Sequence, residues 1–542
     1  ITTLSTELIF QIIDHIRPES HLSFACTCKQ FLACSTDVLK RHREAHSKYH
    51  VASDRDPATV PTLLRSAFGY GDPIIAWHVR SFEVWRDRSD WSEWKQYLFD
   101  VDGLEVNPTS PPLAWEYLYG EVEDYMEPLE YGNSTSELLE SARTQIEDGQ
   151  DGFLKAVLIA NCPRLRDVKF VPAGIDQVFD DTASLGWLEV FIKDAVHGRY
   201  PWPAGLQSLQ SVAVGIPTST WLDPILDPQD QKSSDNILTA LFRLPRIESL
   251  YFRNYIAEED CRLDYGEMLP AGSSTLKHLF MDSGDSMIAA LRDTLIDAPK
   301  ELLTVSFRAG EYVLDHADSI VHGLSKNQGD SLCSMMFYGF NEFRRIHGYR
   351  CRAFRPEEMR PCQVLRNVCI NIQDFELDAY YNENDRKDGE SNVEFLERFF
   401  VECFPESMET LKLWDRLGSG YINWEPTNEN GLESAVIKMI ESHRYENLKA
   451  IFLEEIERPK YHTNRIAAMI GDQEPARDKE IFFRKAVEVG LKHGVDVHTI
   501  TNRNEYIHKI DFPEAPDRMD LASGPWGPRP ADWVFNPYSG RR

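Results

Sequence analysis

The sequence has no run of eighteen apolar residues, so no stretch of it is long and oily enough to span a bilayer as a helix. It also lacks a basic segment followed by an apolar stretch near its start, and so shows no secretory signal. Its start at Ile1 rather than Met implies residues upstream, so a targeting segment there stays open. Dense, evenly spaced cysteines are absent too. The ten present, at positions 26, 28, 34, 162, 261, 333, 351, 362, 369 and 403, lie mostly in or beside apolar runs, as reduced core thiols do. That argues against a disulfide scaffold and for a cytoplasmic or nuclear protein. A basic surplus is missing as well. Fifty-eight Lys and Arg stand against 87 Asp and Glu, a net charge of −29, which argues against a nucleic-acid binder that must neutralise phosphates.

The usual catalytic signatures are also missing. There is no Gly-x-Ser-x-Gly elbow, no phosphate loop ending in Gly-Lys-Ser or Gly-Lys-Thr, and no His-Glu-x-x-His. The nearest metal candidate is His42, His46 and His50, one turn apart on a helix, but Glu44 falls on another face and the row reads as a solvated polar surface. Cys26 and Cys28 point to different sides of a helix, which speaks against zinc or redox chemistry. With no acid, base and nucleophile converging, the expectation is a binding protein with no cofactor and no metal, not an enzyme.

The chain has 542 residues, 42% hydrophobic and 27% charged, the composition of an ordinary globular protein. That length exceeds the roughly 250–300 residues one core supports, which implies several domains or stacked repeats. The opening "LSTELIFQIIDHIRPESHLSFACTCKQF", residues 4–31, is the richest segment. Leu8, Ile9, Ile12, Ile13 and Ile16 recur at helical spacing and predict one broad apolar face. Ser5 suits the N-cap, Glu7 sits in the first turn, and Pro18 ends the helix. A second helix is expected from Ser20 to Cys26 and a third from Thr36 to His50.

Leu4, Glu7, Leu8, Ile12, Ile16, Leu22, Cys28, Lys29 and Phe31 match, in order and spacing, the pattern of the F-box, and the "TCK" ending resembles the F-box proteins abundant in filamentous fungi. Ser5 departs from the proline usual in that family. The resemblance covers less than a tenth of the chain. It implies a three-helix module at 1–50 that docks a Skp-type adaptor through those nine residues, and through it a cullin–RING ubiquitin ligase. A helical hairpin of an all-α domain is the competing reading.

Beyond a linker of helices at 51–78, the pattern apolar-x-x-apolar-x-apolar recurs ten times, starting at Val79, Leu165, Leu209, Ile247, Leu276, Leu302, Leu332, Leu365, Met408 and Leu448. From Leu165 onward the starts are 26 to 44 residues apart, the length of a strand–helix unit with its loops. Pro163, Pro245, Pro299, Pro361 and Pro405 sit just ahead of five of them, where a proline ends a helix and opens an extended segment. Helices are predicted between, at Asn236–Phe242, Asp285–Ile296, Glu394–Cys403, Leu432–Ser442 and Lys479–His493, with a closing strand at Val495–Val497.

One strand and one helix cannot bury their own apolar sides, so such units must stack. The expected fold is α/β: an F-box followed by an irregular leucine-rich-repeat-like solenoid at 79–510, its parallel strands lining a curved sheet. An α/β domain with scattered strands is the rival. Residues 86–150 read as an acidic, Trp- and Tyr-rich insertion, and 511–542 as a Pro- and Gly-rich tail carrying Trp526 and Trp533.

The resemblance implies a substrate-recognition subunit; a repeat scaffold outside ubiquitination is the alternative, with an unrecognised enzyme third. The target protein is unidentified; neither nucleic acid nor membrane is expected as a partner. Strand alternation places Trp85, Tyr251, Arg253, Phe280, Arg308, Tyr338, Lys412, Trp414 and Phe452 on the exposed inner face, as a target-binding surface.

Overall fold

A computed structural model describes residues 4–96, 98–99, 105–106, 111–131, 135–170, 183–215, 235–253, 269–284, 294–309, 317–338, 356–371, 387–414, 427–454 and 483–498. The chain is α/β, and within each unit its main strands pair in the order in which they occur. It forms two compact units, one up to Tyr251 and one from Phe252.

The first unit opens with four helices, α1 (Thr6–His15), α2 (Pro18–Ala25), α3 (Lys29–Cys34) and α4 (Thr36–Tyr49). Arg17 is extended and Pro18 takes the first turn of α2, where its missing N–H costs nothing, so this proline starts a helix as well as separating two. Ser5 holds the N-cap position of α1, but its hydroxyl makes no capping bond.

Strand β1 (Val51–Ser53) follows, then α5 (Thr59–Phe68), α6 (Pro73–His78) and β2 (Ser81–Val84). β1 runs parallel to β2 with Ala52 beside Phe82, so the sheet begins at Val51 and the segment 51–78 is not helical throughout. The signal was short: of its three residues only Ala52 is buried.

Between β2 and β3 (Asp167–Phe170) lie α7 (Glu121–Tyr131), α8 (Ser136–Asp148) and α9 (Gly152–Asn161), with a small antiparallel pair formed by Leu98–Phe99 and Glu105–Val106. The unit continues through α10 (Ser184–Val196), α11 (Ala204–Ser208), β4 (Ser211–Val214), α12 (Asp235–Phe242) and β5 (Ser249–Arg253). Every residue of α9 from Gly152 to Ala160 is buried, the apolar ones as such a run requires and Lys155 among carboxylates.

The second unit carries β6 (His278–Gly284), β7 (Thr304–Ala309), β8 (Ser334–Tyr338), β9 (Asn367–Asn371), β10 (Thr410–Trp414), β11 (Ala450–Glu454) and β12 (Asp496–His498). Its helices are α13 (Ala317–Gln328), α14 (Pro356–Met359), α15 (Asn392–Cys403), α16 (Thr427–Glu441) and α17 (Arg484–His493). Ser391 and Glu394 close a reciprocal capping box at the start of α15. Residues 285–293 and 479–482 of two predicted helices, and the tail with Trp526 and Trp533, lie outside the described residues.

Each of the ten recurring segments ends in a strand, and all three apolar positions of each are buried, as in Val79, Phe82 and Val84 or Leu365, Val368 and Ile370. The fourth position makes one apolar row, Leu279–Val305–Met335–Val368–Leu411–Ile451–Val497, one side chain per strand in register. Strand entry repeats a backbone device: two successive N–H groups converge on one carbonyl of the strand before. Arg166 and Asp167 donate to Arg80 at 2.8 and 3.0 Å, and Arg366 and Asn367 donate to Cys333 at 2.8 and 3.1 Å. No helix among the described residues is long and apolar enough to cross a membrane.

Candidate docking site

The N-terminal helices close on a small core of Ile9, Ile13, Phe31, Val38 and Ala45, completed by Ile74 of α6, with Leu4, Phe24, Cys28 and Ile75 packed around it. Phe24 and Phe31 stack with ring centres 4.4 Å apart. The broad apolar face predicted for α1 therefore divides. Ile9 and Ile13 are buried, whereas Leu8 is 47% exposed and Ile12 and Ile16 are half-buried.

Of eight large apolar side chains left exposed among the described residues, four belong to α1–α3: Leu8, Phe10, Leu22 and Leu32. On α1, Leu8 and Ile12 stand on one flank of the buried seam and Phe10 on the other, because residues two apart are about 200° apart around a helix. Glu7 and Lys29 are exposed, and Leu4 and Cys28 are half-buried. The own amide of Glu7, and then the Ser5 hydroxyl, hold its carboxyl below the usual range. The nine motif residues thus split: Phe31 belongs to the core, Leu22 is open, and the others line the surface around it.

These helices are fastened to the rest of the unit by polar contacts the sequence did not announce. Arg41 pairs with Asp72 at 2.7 Å. Three imidazoles run in file from α2 through α4 to α6. His21 Nε2 lies 3.2 Å from the Ile13 carbonyl, His21 Nδ1 2.8 Å from His42 Nε2, and His42 Nδ1 2.8 Å from His78 Nε2. The tautomers follow by elimination. A carbonyl only accepts, so His21 carries its proton on Nε2 and accepts at Nδ1 from His42 Nε2–H. His42 then accepts at Nδ1 from His78 Nε2–H, which leaves His78 Nδ1 bare, and that buried atom has no partner among the described residues.

The reading of His42, His46 and His50 as a solvated row is corrected for His42. His46 is exposed, and His50 Nδ1 donates to the His46 carbonyl at 2.9 Å. Because His42 spends its two nitrogens on different neighbours, the rings form a chain and do not converge on a point. Burial, and then the charges of His42, His46, Arg80 and Arg164, push the His78 imidazole down to about 4, and burial pushes His42 down as well.

The predicted target surface is overturned wherever its side chains are described. Trp85, Tyr251, Phe280, Lys412 and Phe452 are buried, the most open of them 8% exposed. Alternation places them on the opposite side from the apolar row, but that side is also covered, as is usual for parallel sheets. In the second unit the row reads Phe280–Ser306–Met336–Cys369–Lys412–Phe452–His498, in register across seven strands. The side chains of Arg253, Arg308, Tyr338 and Trp414 lie outside the described residues.

In the first unit the same side holds charge. Lys169 Nζ meets Glu83 Oε1 at 3.4 Å, Trp85 Nε1 donates to Glu83 Oε2 at 3.3 Å, and the Arg55 guanidinium lies 5.0 Å over the Trp85 ring. Beside it, Lys155 Nζ reaches Asp54 at 2.8 Å, Asp151 at 3.0 Å and Asp87 at 3.2 Å, while Arg88 pairs with Asp151 at 2.8 Å. Burial pushes the Asp87 carboxyl up against the pull of Lys155. Solvent does not reach the side chains of Lys155, Arg88, Asp54 or Asp151, so this cluster holds the insertion to the sheet and offers a ligand no way in.

Among the described residues no group of three His, Cys, Asp or Glu is placed to hold a metal ion. Half of the exposed large apolar side chains among the described residues thus sit on α1–α3. No family model matches the chain, and no curated protein matches it.

Proposed function

We propose that this chain is the substrate-recognition subunit of an SCF-type (Skp–cullin–F-box) ubiquitin ligase. Its first helices dock the Skp adaptor, and its leucine-rich-repeat-like units carry a target protein to the ligase. The observation that supports this reading is the exposure of Leu8, Phe10, Leu22 and Leu32 on helices whose core is already complete. Fully burying one such side chain is worth roughly 1.5–3 kcal/mol, so leaving four in water within one short module suits a surface that another chain covers. The chain needs no reacting group of its own in this role. Bringing a target lysine beside a charged conjugating enzyme is catalysis by proximity.

A repeat scaffold that does not act in ubiquitination is the second reading. Its support is Ile74 of α6, which completes the core of the N-terminal helices from within the chain.

Co-purification with a recombinant Skp-type adaptor separates the two. The wild-type chain should retain the adaptor, and Leu8→Ala with Ile12→Ala should lose it while keeping its circular dichroism and melting profile. Undiminished retention by a folded double variant, or none by the wild type, counts against adaptor docking and for the scaffold.

A further inference from the structure

We propose that Arg80, Arg164 and Arg166 form a binding site for a doubly charged phosphate group, free or esterified, at the edge where β2 and β3 begin. This inference does not rest on the adaptor reading. Backbone geometry brings the three together. α6 leads into β2 through Val79 and Arg80, α9 leads into β3 through the turn holding Pro163 and Arg164, and the N–H of Arg166 donates to the Arg80 carbonyl at 2.8 Å. Arg80 and Arg166 therefore occupy neighbouring rungs of one sheet edge.

Two of the three side chains are fixed from within the chain. Arg80 Nη1 donates to the carbonyls of Trp77 and Val79 at 2.7 and 2.9 Å, which leaves its Nε and Nη2 for another acceptor. The Arg164 guanidinium lies 4.3 Å from the centre of the Trp77 ring and is held there as a cation over an aromatic face. Arg80 and Arg164 are half-buried and Arg166 is exposed, so a ligand reaches the cluster from solvent.

The unexplained feature is the missing counter-charge. The chain carries 87 acidic residues, yet none of these three arginines makes an ion pair among the described residues. Burial, and then the charges of Arg164 and Arg166, bring Arg80 down to about 10, and no carboxylate among the described residues offsets them. Arg164 is lowered by burial and then by Arg166. Like charges gathered on a partly desolvated edge repel, and a bound anion removes that cost.

Three guanidinium forks match the several oxygens and double charge of such a phosphate group, whereas a single carboxylate leaves two cations unbalanced. The same dianion could come from free phosphate or from a phosphorylated side chain of a bound protein, and the two are told apart by experiment.

The test is the melting temperature of the full chain in low-salt buffer, titrated with inorganic phosphate, a phosphoserine peptide, its unphosphorylated form, and acetate at equal ionic strength. Phosphate and the phosphopeptide should raise it saturably, and acetate and the plain peptide should not. Tighter binding of the phosphopeptide assigns the site to a protein-borne group, and equal binding assigns it to phosphate itself.

Arg166→Gln should weaken phosphate binding tenfold or more, and in phosphate-free low-salt buffer it should raise the melting temperature, because one of three repelling charges is gone. Arg164→Gln should weaken binding similarly. An equal response to acetate, no response to phosphate, or an Arg166→Gln chain that binds phosphate as the wild type does overturns the proposal. An adventitious ion would bind the wild type and both variants alike.

Discussion

Lys155 and Asp151 stand one turn apart at the start of α9, nitrogen to oxygen 3.0 Å, with neither side chain reached by solvent. Lys155 also holds Asp54 and Asp87, so a single ammonium bridges three carboxylates where the insertion returns to the sheet, with Arg88 as a second cation on Asp151. Lys155→Ala removes the ammonium shared by these buried carboxylates and leaves Arg88 on Asp151 alone, and breaking a buried pair from one side costs about 3–5 kcal/mol. Urea denaturation should show that loss. A cost below about 1 kcal/mol would mean that water reaches the cluster and that the network does not hold the insertion.

Neighbours on α1 should behave in opposite ways. Ile9 is fully buried in the helical core, and Ile9→Ala should cost about 2–5 kcal/mol through the cavity it leaves. Leu8 is 47% exposed, and Leu8→Ala should cost no more than about 0.5 kcal/mol of stability. The measurements are thermal melting for stability and adaptor retention for docking. Equal destabilisation by the two substitutions would show that the apolar face of α1 is not divided as described.

Gly205 on α11 marks a close approach between helices. A Cβ there would lie 2.0 Å from the carbonyl oxygen of Ile159 and 2.7 Å from that of Ala160, both backbone atoms of α9. α9 is buried along its length and cannot retreat, so Gly205→Ala should destabilise the unit by about 1–3 kcal/mol or more. A denaturation midpoint unchanged by this substitution would contradict the packing.

The strands were legible because their signal repeats with a fixed geometry. Positions one, four and six of each segment face the same buried layer, so Leu165, Val168 and Phe170 or Met408, Leu411 and Leu413 announce a strand without knowledge of its neighbours. The other side was misjudged for a physical reason. Alternation says which way Tyr251 or Lys412 points, but not whether that side is wet, and a parallel sheet buries both.

The exposed set on α1–α3 was legible in part. Periodicity found the oily stripe, but dividing Leu8 from Ile9 needed α6, whose Ile74 lies far along the chain. The imidazole chain was hidden by the same kind of distance. Spacing shows His42, His46 and His50, while the rings that bond His42 belong to His21 and His78, on two other helices.

That chain sets a pH dependence. His78 holds off protonation until about pH 4, chiefly because it is buried. In the unfolded chain a histidine takes up its proton near pH 6.5. Below that pH the unfolded state binds protons that the folded state refuses, so stability falls as the pH drops from about 6.5 and levels off below about 4. His42, also lowered, adds to the loss in the same direction, while Asp72 opposes it.

Allowing for solvent at the partly open His78 ring, the loss attributable to it should be about 1–2 kcal/mol. His78→Gln keeps a donor for His42 Nδ1 and removes one titrating ring. Its melting temperature should therefore fall less than that of the wild type between pH 7 and pH 4.5, with the two curves parallel above pH 7. If both chains lose the same stability over that window, the imidazole file does not sense pH, and its role is only to hold α2, α4 and α6 together.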